Sequence, residues 1–301
     1  MELRHLRYFA TVARERNFTR AAAKLHIAQP PLSRQIQQLE DELGVELVQR
    51  GSRPISLTEV GRLVFEQATQ VLERVDDIKL LTHRLQSGRR HLSIGFVGST
   101  LYGYLPDVIR AYRAARPDAE LNLVELTTLE QMTALKEQRI DVGFGRIPLE
   151  DAAVERVLLR NERLCAAVSP NHPALRGSGP IWLTDLADEP LVVYPKSPRP
   201  SYADQVLALF REQGLKPATV HEVKELQTAL GLVAAGSGVC VVPASVERLR
   251  RDNVAYRRLR DETAFSPIIM STRKGDRSPE IALILKLIRQ IYAKQRITFG
   301  T

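Results

Sequence analysis

The sequence predicts an α/β protein in three parts: an all-α winged helix-turn-helix head, a long helix behind it, and a region that alternates strands with helices. Three observations carry this reading. A short alanine-rich helix, a tight turn and a proline-initiated helix follow one another before Gly44. An apolar heptad row then runs through Val64, Val71, Ile78 and Leu85. From about residue 91 onward, short apolar runs such as Leu92–Val97 alternate with amphipathic stretches such as Leu105–Pro117, which argues for largely parallel strands. Two such groups make two lobes around a cleft. The expected divisions are 1–58, 59–88 and 89–301.

In the head, Leu3, Leu6, Phe9, Ala10 and Ala13 recur at helical spacing. Asn17 and Phe18 interrupt that helix, and Thr19 is the expected N-cap of a second one, Arg20–His26. Ala21, Ala22 and Ala23 allow another backbone to approach closely. Pro30 and Pro31 open a third helix, where a fixed φ and a missing N–H cost nothing. Its buried stripe is Leu32, Ile36, Leu39 and Leu43; Ser33, Arg34, Gln35 and Gln37 face outward, and Gly44 ends it. In such a pair the first helix braces the second, whose N-terminal residues enter the major groove of double-stranded DNA. Gln29, Ser33 and Arg34 are suited to base edges. Leu47, Val48, Ile55 and Leu57 are expected to form two short strands, a wing carrying Arg50 and Arg53 toward phosphate or the minor groove. Charge agrees with a polyanionic partner. The chain carries a formal +8, and up to residue 38 seven basic side chains stand against Glu2 and Glu15 alone. The competing reading is a small bundle that touches no DNA; basic residues at both contact points argue against it.

Thr58 begins the long helix, which runs to about Gln86 with Ala68, Val75 and Leu81 filling the second apolar row. The stripe suits a helix-pair interface and hence two reading heads, the alternative being a helix packed on its own domain. No catalytic constellation appears. The six histidines never take metal-ligand spacing, and there is no nucleophile elbow, P-loop or dinucleotide fingerprint. No metal and no cofactor are expected, and Cys240 reads as core. Two distant cysteines, no apolar run of membrane-spanning length and a charged N-terminal stretch give a cytoplasmic, membrane-free expectation.

Helix starts in the last region suggest what binds there. Ser99 follows the first strand, Thr128 opens a T-x-x-Q capping box ending at Gln131, and Ser201 stands three residues before Asp204. Ligands of open α/β sheets lie beyond the strand carboxyl ends, against helix N-termini that favour an anion. Each hydroxyl alone reads equally well as a helix cap; three together suit a small diacid.

Residues 2–50, from Glu2-Leu3-Arg4 through Gln29-Pro30-Pro31-Leu32-Ser33-Arg34 to Val48-Gln49-Arg50, resemble the N-terminal domain of LysR-type transcriptional regulators. The resemblance implies a homotetramer that bends its DNA and exposes a promoter to RNA polymerase. It also implies Gln29, Pro30, Pro31, Ser33, Arg34 and Arg53 at the DNA. Beyond the head it implies a two-lobed, periplasmic-binding-protein-like domain, with one lobe at about 91–161 plus 267–301 and the other at about 162–266. The segments Ser93–Pro106, Leu126–Arg146 and Tyr194–Phe210 further resemble the muconate-responsive subgroup that controls catechol and benzoate degradation. On that basis Ser99, Thr128, Pro200, Ser201 and Tyr202 surround cis,cis-muconate, and Arg146 responds to it or fixes its lobe. Chloromuconate, protocatechuate and benzoate are the alternative effectors. A second, aromatic-acid pocket would involve Arg160 and Glu225, which a structural ion pair explains equally well.

Overall fold

The computed structural model describes residues 1–49, 54–87 and 90–300 and divides into two compact units, Met1–Gly88 and Arg89–Thr301. In the first unit, α1 (Leu3–Glu15), α2 (Phe18–Leu25) and α3 (Gln29–Leu43) enclose Phe9, Val12, Ala21, Leu32, Ile36 and Leu39. Asn17, not Thr19, caps α2, its extended backbone letting the side chain accept from the Arg20 N–H at 3.0 Å. Pro30 and Pro31 lie in the first turn of α3, which starts at Gln29, and Gly44 closes it at φ 68°.

The expected pair of wing strands reduces to one antiparallel bridge, Val48 to Leu57. A buried carboxylate fixes its base: Glu40 of α3 accepts from the Leu47 N–H at 2.7 Å and the Val48 N–H at 3.1 Å. The tip, with Arg50 and Arg53, lies outside the described residues. Helix α4 (Glu59–Ser87) starts from Thr58, whose hydroxyl accepts from the Gly61 N–H at 2.9 Å. A Cβ at Gly61 would stand 2.0 Å from the Leu47 carbonyl oxygen, so only glycine lets α4 cross the wing base there. Of the heptad row, Val71 and Ile78 are exposed, at 42% and 61%; the side chain of Leu85, like that of Leu81 in the second row, lies outside the described residues.

The second unit begins with β1 (His91–Phe96), a 3₁₀ turn at Gly98–Tyr102, α5 (Leu105–Ala115), β2 (Glu120–Glu125), α6 (Thr128–Lys136) and β3 (Val142–Gly145). A 15-residue strand, β4 (Val154–Val168), leads away to β5 (Leu191–Val193), α7 (Tyr202–Glu212), β6 (Val220–Glu222) and α8 (Leu226–Ala234). Then come β7 (Cys240–Pro243), a 3₁₀ turn at Ala244–Leu249, β8 (Ala255–Arg258), β9 (Phe265–Arg273) and α9 (Pro279–Lys294).

Strand β1 runs parallel to β2 and β3, and β5 runs parallel to β6 and, through Leu191 and Val239, to the chain entering β7. The pairings β3–β9, β9–β4, β4–β7 and β4–β8 are antiparallel. The expectation of largely parallel strands therefore needs correction: each lobe has a parallel trio completed by antiparallel strands. The cause is β4 and β9, which travel between the lobes in opposite directions. Strand β4 pairs with β9 from Val154 to Arg163 and with β7 and β8 from Leu164 to Val168. Its first half carries Glu155, Arg156, Arg160 and Glu162 among its apolar residues, which hides it from an apolar-run search. Asn161 lies opposite Pro267 and Glu162 opposite Ser266 where the two strands cross. One core gathers Ile94, Tyr112, Val142 and Ile284; the other gathers Leu164, Phe210, Leu230 and Val241. The periplasmic-binding-protein likeness is an analogy of this two-lobe form.

Candidate functional site

A cavity of about 450 Å³ separates the lobes, and four helix starts converge on it: Gly98-Ser99, Thr127-Thr128, Ser201-Tyr202 and Glu225-Leu226. The last is one more than the sequence suggested. Backbone N–H groups at such ends lack helical partners and carry positive partial charge, so the cavity favours an anion. Ser99, Thr128, Arg146, Pro200, Ser201, Tyr202 and Glu225 all line it; Arg160 does not.

Arg146, the first residue beyond β3, organises the lobe I wall while only 2% exposed. Its Nε donates to the Ser99 hydroxyl at 2.8 Å, and its backbone N–H donates to the Thr128 hydroxyl at 3.2 Å. Arginine has no acceptor, so both hydroxyls must accept, and each keeps its own proton to give to a ligand. Thr128 is free for this because it is not the cap. Thr127 and Glu130 form the capping box, correcting the T-x-x-Q reading, while Gln131 donates to the carbonyls of Leu126 and Phe144. Gly145 makes room: a Cβ there would meet the Thr128 side chain at 2.8 Å.

Behind this wall Arg146 Nη2 donates to Glu162 at 2.7 Å. Glu162 is 3% exposed, accepts from the Ser245 N–H of lobe II at 2.9 Å, and pairs with Arg160 at 3.4 Å. Burial pushes the Glu162 carboxyl up, but the guanidiniums of Arg146 and Arg160 outweigh it and hold the group below the usual carboxylate range. Sequence reasoning did not single out Glu162. A charged residue in a charge-bearing run reads as surface until the crossing of β4 and β9 is known.

The lobe II wall works differently. The Ser201 hydroxyl donates to the Pro195 carbonyl at 3.0 Å and accepts from the Ala203 N–H at 3.2 Å, while Asp204 takes the Ser201 N–H at 2.7 Å. Its proton is committed, so Ser201 shapes the turn. The Tyr202 N–H, at the first position of α7, has no partner among the described residues. Two further contacts tie lobe II to the Gly98–Tyr102 turn: Gln227 donates to the Tyr102 hydroxyl at 3.1 Å, and Arg248 donates to the Gly103 carbonyl at 3.1 Å.

Arg160 and Glu225 are not partners, and the structure does not join them in one pocket. Arg160 lies over the Tyr104 ring at 5.5 Å and pairs with Glu162, beside a cavity of about 20 Å³ lined by Tyr104, Leu159 and Tyr292. That volume holds about one water. Glu225 instead sits exposed on the large cleft as the N-cap of α8. Both cysteines are buried and burial raises their thiols, and among the described residues no His/Cys/Asp/Glu group is placed to hold a metal ion.

On the head, Gln29 Nε2 donates to the Ser33 hydroxyl at 2.8 Å, so the two are held in a common orientation. Pro30, Pro31 and Arg34 are exposed. Gln35 is tied to the buried His5 at 3.1 Å and to Gln38 at 3.2 Å, which makes it a brace between α1 and α3. Among the described residues no helix is long and apolar enough to cross a membrane.

Comparison with known proteins agrees with both units. Residues 3–62 match the family described as bacterial regulatory helix-turn-helix protein, lysR family, and residues 85–293 match the LysR substrate binding domain. The chain is 52% identical to the probable cat1 operon transcriptional activator of Acinetobacter lwoffii, over 98% of this chain and 97% of that one. It is 47% identical to the HTH-type transcriptional regulator BenM of Acinetobacter baylyi, over 99% and 98% of the two chains. The BenM effector binding domain has been solved with its effector benzoate (44% identity, TM-score 0.66, 69% of this chain and 95% of that one). CbnR, a LysR family regulator, has been solved full-length with its target DNA (33% identity, TM-score 0.74, 96% and 99% coverage). The chain belongs to the LysR family: it is a DNA-binding transcriptional regulator with an effector domain, not an enzyme.

Proposed function

We propose that this regulator activates genes of catechol and benzoate degradation when cis,cis-muconate binds between its lobes. One observation carries the reading: Arg146 forces Ser99 and Thr128 to keep their hydroxyl protons for a ligand, in a cleft ringed by helix starts. An extended dianion spanning lobes I and II matches that arrangement. The benzoate complex of BenM and the cat1 relative support an aromatic-degradation setting. The working unit in this reading is a cytoplasmic homotetramer with no resident cofactor. Ligand binding shifts the lobes, and with them the bend of the DNA offered to RNA polymerase.

The test is thermal unfolding of the full-length protein with muconate, chloromuconate, protocatechuate and benzoate. Muconate is expected to raise the unfolding temperature most. A shift from benzoate or protocatechuate without one from muconate overturns the effector, and no shift from any anion overturns the cleft.

At the DNA, the exposed Arg34 with Gln29 and Ser33 reads base edges, Pro30 and Pro31 set the helix start, and Arg50 and Arg53 extend the contact from the wing. Arg34→Ala should weaken specific operator binding by about 1–3 kcal/mol. Footprints identical to wild type would remove Arg34 from base readout.

A further inference from the structure

We infer that Arg248 is a positioning residue for the ligand: from lobe II it clasps the turn of lobe I that presents Ser99 to the cleft, and so sets how that hydroxyl meets an anion. The inference rests on the reading that the cleft binds a small organic anion.

The turn Gly98–Tyr102 is short and tied to itself. Thr100, buried, donates to the Val97 carbonyl from its N–H at 2.9 Å and from its hydroxyl at 2.8 Å. The Gly103 N–H donates to the Thr100 carbonyl at 3.0 Å. So compact a segment shifts as one piece, and a pull on its far end is felt at Ser99, which lines the cleft. The far end is where lobe II takes hold. Arg248 Nη1 donates to the Tyr102 carbonyl at 3.3 Å and the Gly103 carbonyl at 3.1 Å, and its guanidinium lies over the Tyr104 ring at 5.0 Å. A planar guanidinium suits both tasks, bonding carbonyl oxygens at its edge while stacking on a ring. Gln227, in the first turn of α8, adds its bond to the Tyr102 hydroxyl at 3.1 Å.

These contacts close a ring that crosses between the lobes. Ser99 accepts from Arg146, Arg146 donates to Glu162, and Glu162 accepts from the Ser245 N–H. Ser245 belongs to the 3₁₀ turn Ala244–Leu249, and Arg248 stands three residues further along that same turn. From there it reaches back to the segment that carries Ser99. Ser99 is thus held from two sides, by Arg146 directly and by Arg248 through the turn. Thr128 lies outside the ring, on α6, and accepts from the Arg146 backbone N–H. The two hydroxyls of lobe I therefore differ in one respect: only Ser99 is linked to lobe II through Arg248.

The experiment is a pair of double-mutant cycles, read by calorimetric titration of the full-length protein with cis,cis-muconate. Arg248→Ala should cost about fivefold in affinity. In a Ser99→Ala background the same substitution should cost twofold or less, whereas in a Thr128→Val background the full loss should remain. A purely structural role would move both backgrounds alike. Unchanged affinity in Arg248→Ala overturns the inference, as does an equal loss in the two backgrounds. Arg248→Lys, which keeps the charge and loses the planar fork, should recover part of the affinity and carries the same cycles if Arg248→Ala does not fold. Hydrogen exchange of the unliganded protein tests the clasp without a ligand: Arg248→Ala should speed exchange of the Thr100 and Gly103 amides, and unchanged rates overturn the clasp. Wild type that takes up no muconate overturns the effector reading instead, and the exchange measurement still decides the clasp.

Discussion

The walls of the cleft are built from the same residue types but offer different things to a ligand. On lobe I, Ser99 and Thr128 receive hydrogen bonds from Arg146 and retain their protons. On lobe II, Ser201 gives its proton to the Pro195 carbonyl and receives the Ala203 N–H, so nothing of the hydroxyl is left over. A serine at a helix start is thus a ligand group or a scaffold group according to what already donates to it. Arg146 makes the difference, and Glu162 holds Arg146 in place while reaching across to Ser245. Lobe I thus has side-chain protons to offer an anion, whereas the lobe II serine has none left to give.

Removing the organiser should have the largest effect. Arg146→Ala removes the Nε donor that orients Ser99, keeps the backbone N–H that Thr128 accepts, and leaves Glu162 with Arg160 as its remaining ion-pair partner. Breaking a buried pair from one side typically costs about 3–5 kcal/mol, readable by chemical denaturation alongside the loss of anion binding. The pH dependence follows from the same pair. The folded-state carboxyl of Glu162 lies below its ordinary 4.5, so its stabilisation is complete above that value and is lost as pH falls through the lowered one. Glu162→Gln should therefore flatten the acid limb of the unfolding temperature below pH 4.5. An unchanged limb would mean that other carboxylates govern acid unfolding and that the pair does not anchor the wall.

Much of this molecule is legible in its sequence, and the misreadings have two causes. The proline start and Gly44 end of α3 are local, set by φ and by missing N–H groups, and need no tertiary information. The caps are also local but were placed one or two residues away, at Thr19 for Asn17 and at Thr128 for Thr127. In both cases adjacent residues satisfy the same pattern, and only the observed backbone decides. The charged half of β4 was invisible because a strand that crosses between lobes is buried by its partners, not by its own composition. Glu162 was lost with it. The sequence links Arg160 with Glu225, yet one lies on the crossing strand β4 beside Glu162 and the other on the open cleft, a distinction that only topology supplies.

Thr128→Val keeps the shape of the side chain and deletes the donor, so it should weaken anion binding about tenfold while leaving operator affinity unchanged. Ser201→Ala is the complementary substitution and the smallest expected effect. It removes the cap of α7 and the tie to Pro195, which should lower stability by about 1 kcal/mol. Because the Ser201 proton is committed within the protein, anion affinity should move by no more than about twofold. Calorimetric titration of both variants under the same conditions decides the matter. A loss at Ser201→Ala as large as that at Thr128→Val would mean that the Ser201 hydroxyl turns from Pro195 to the ligand on binding. The contrast between the two walls would then belong to the unliganded state alone.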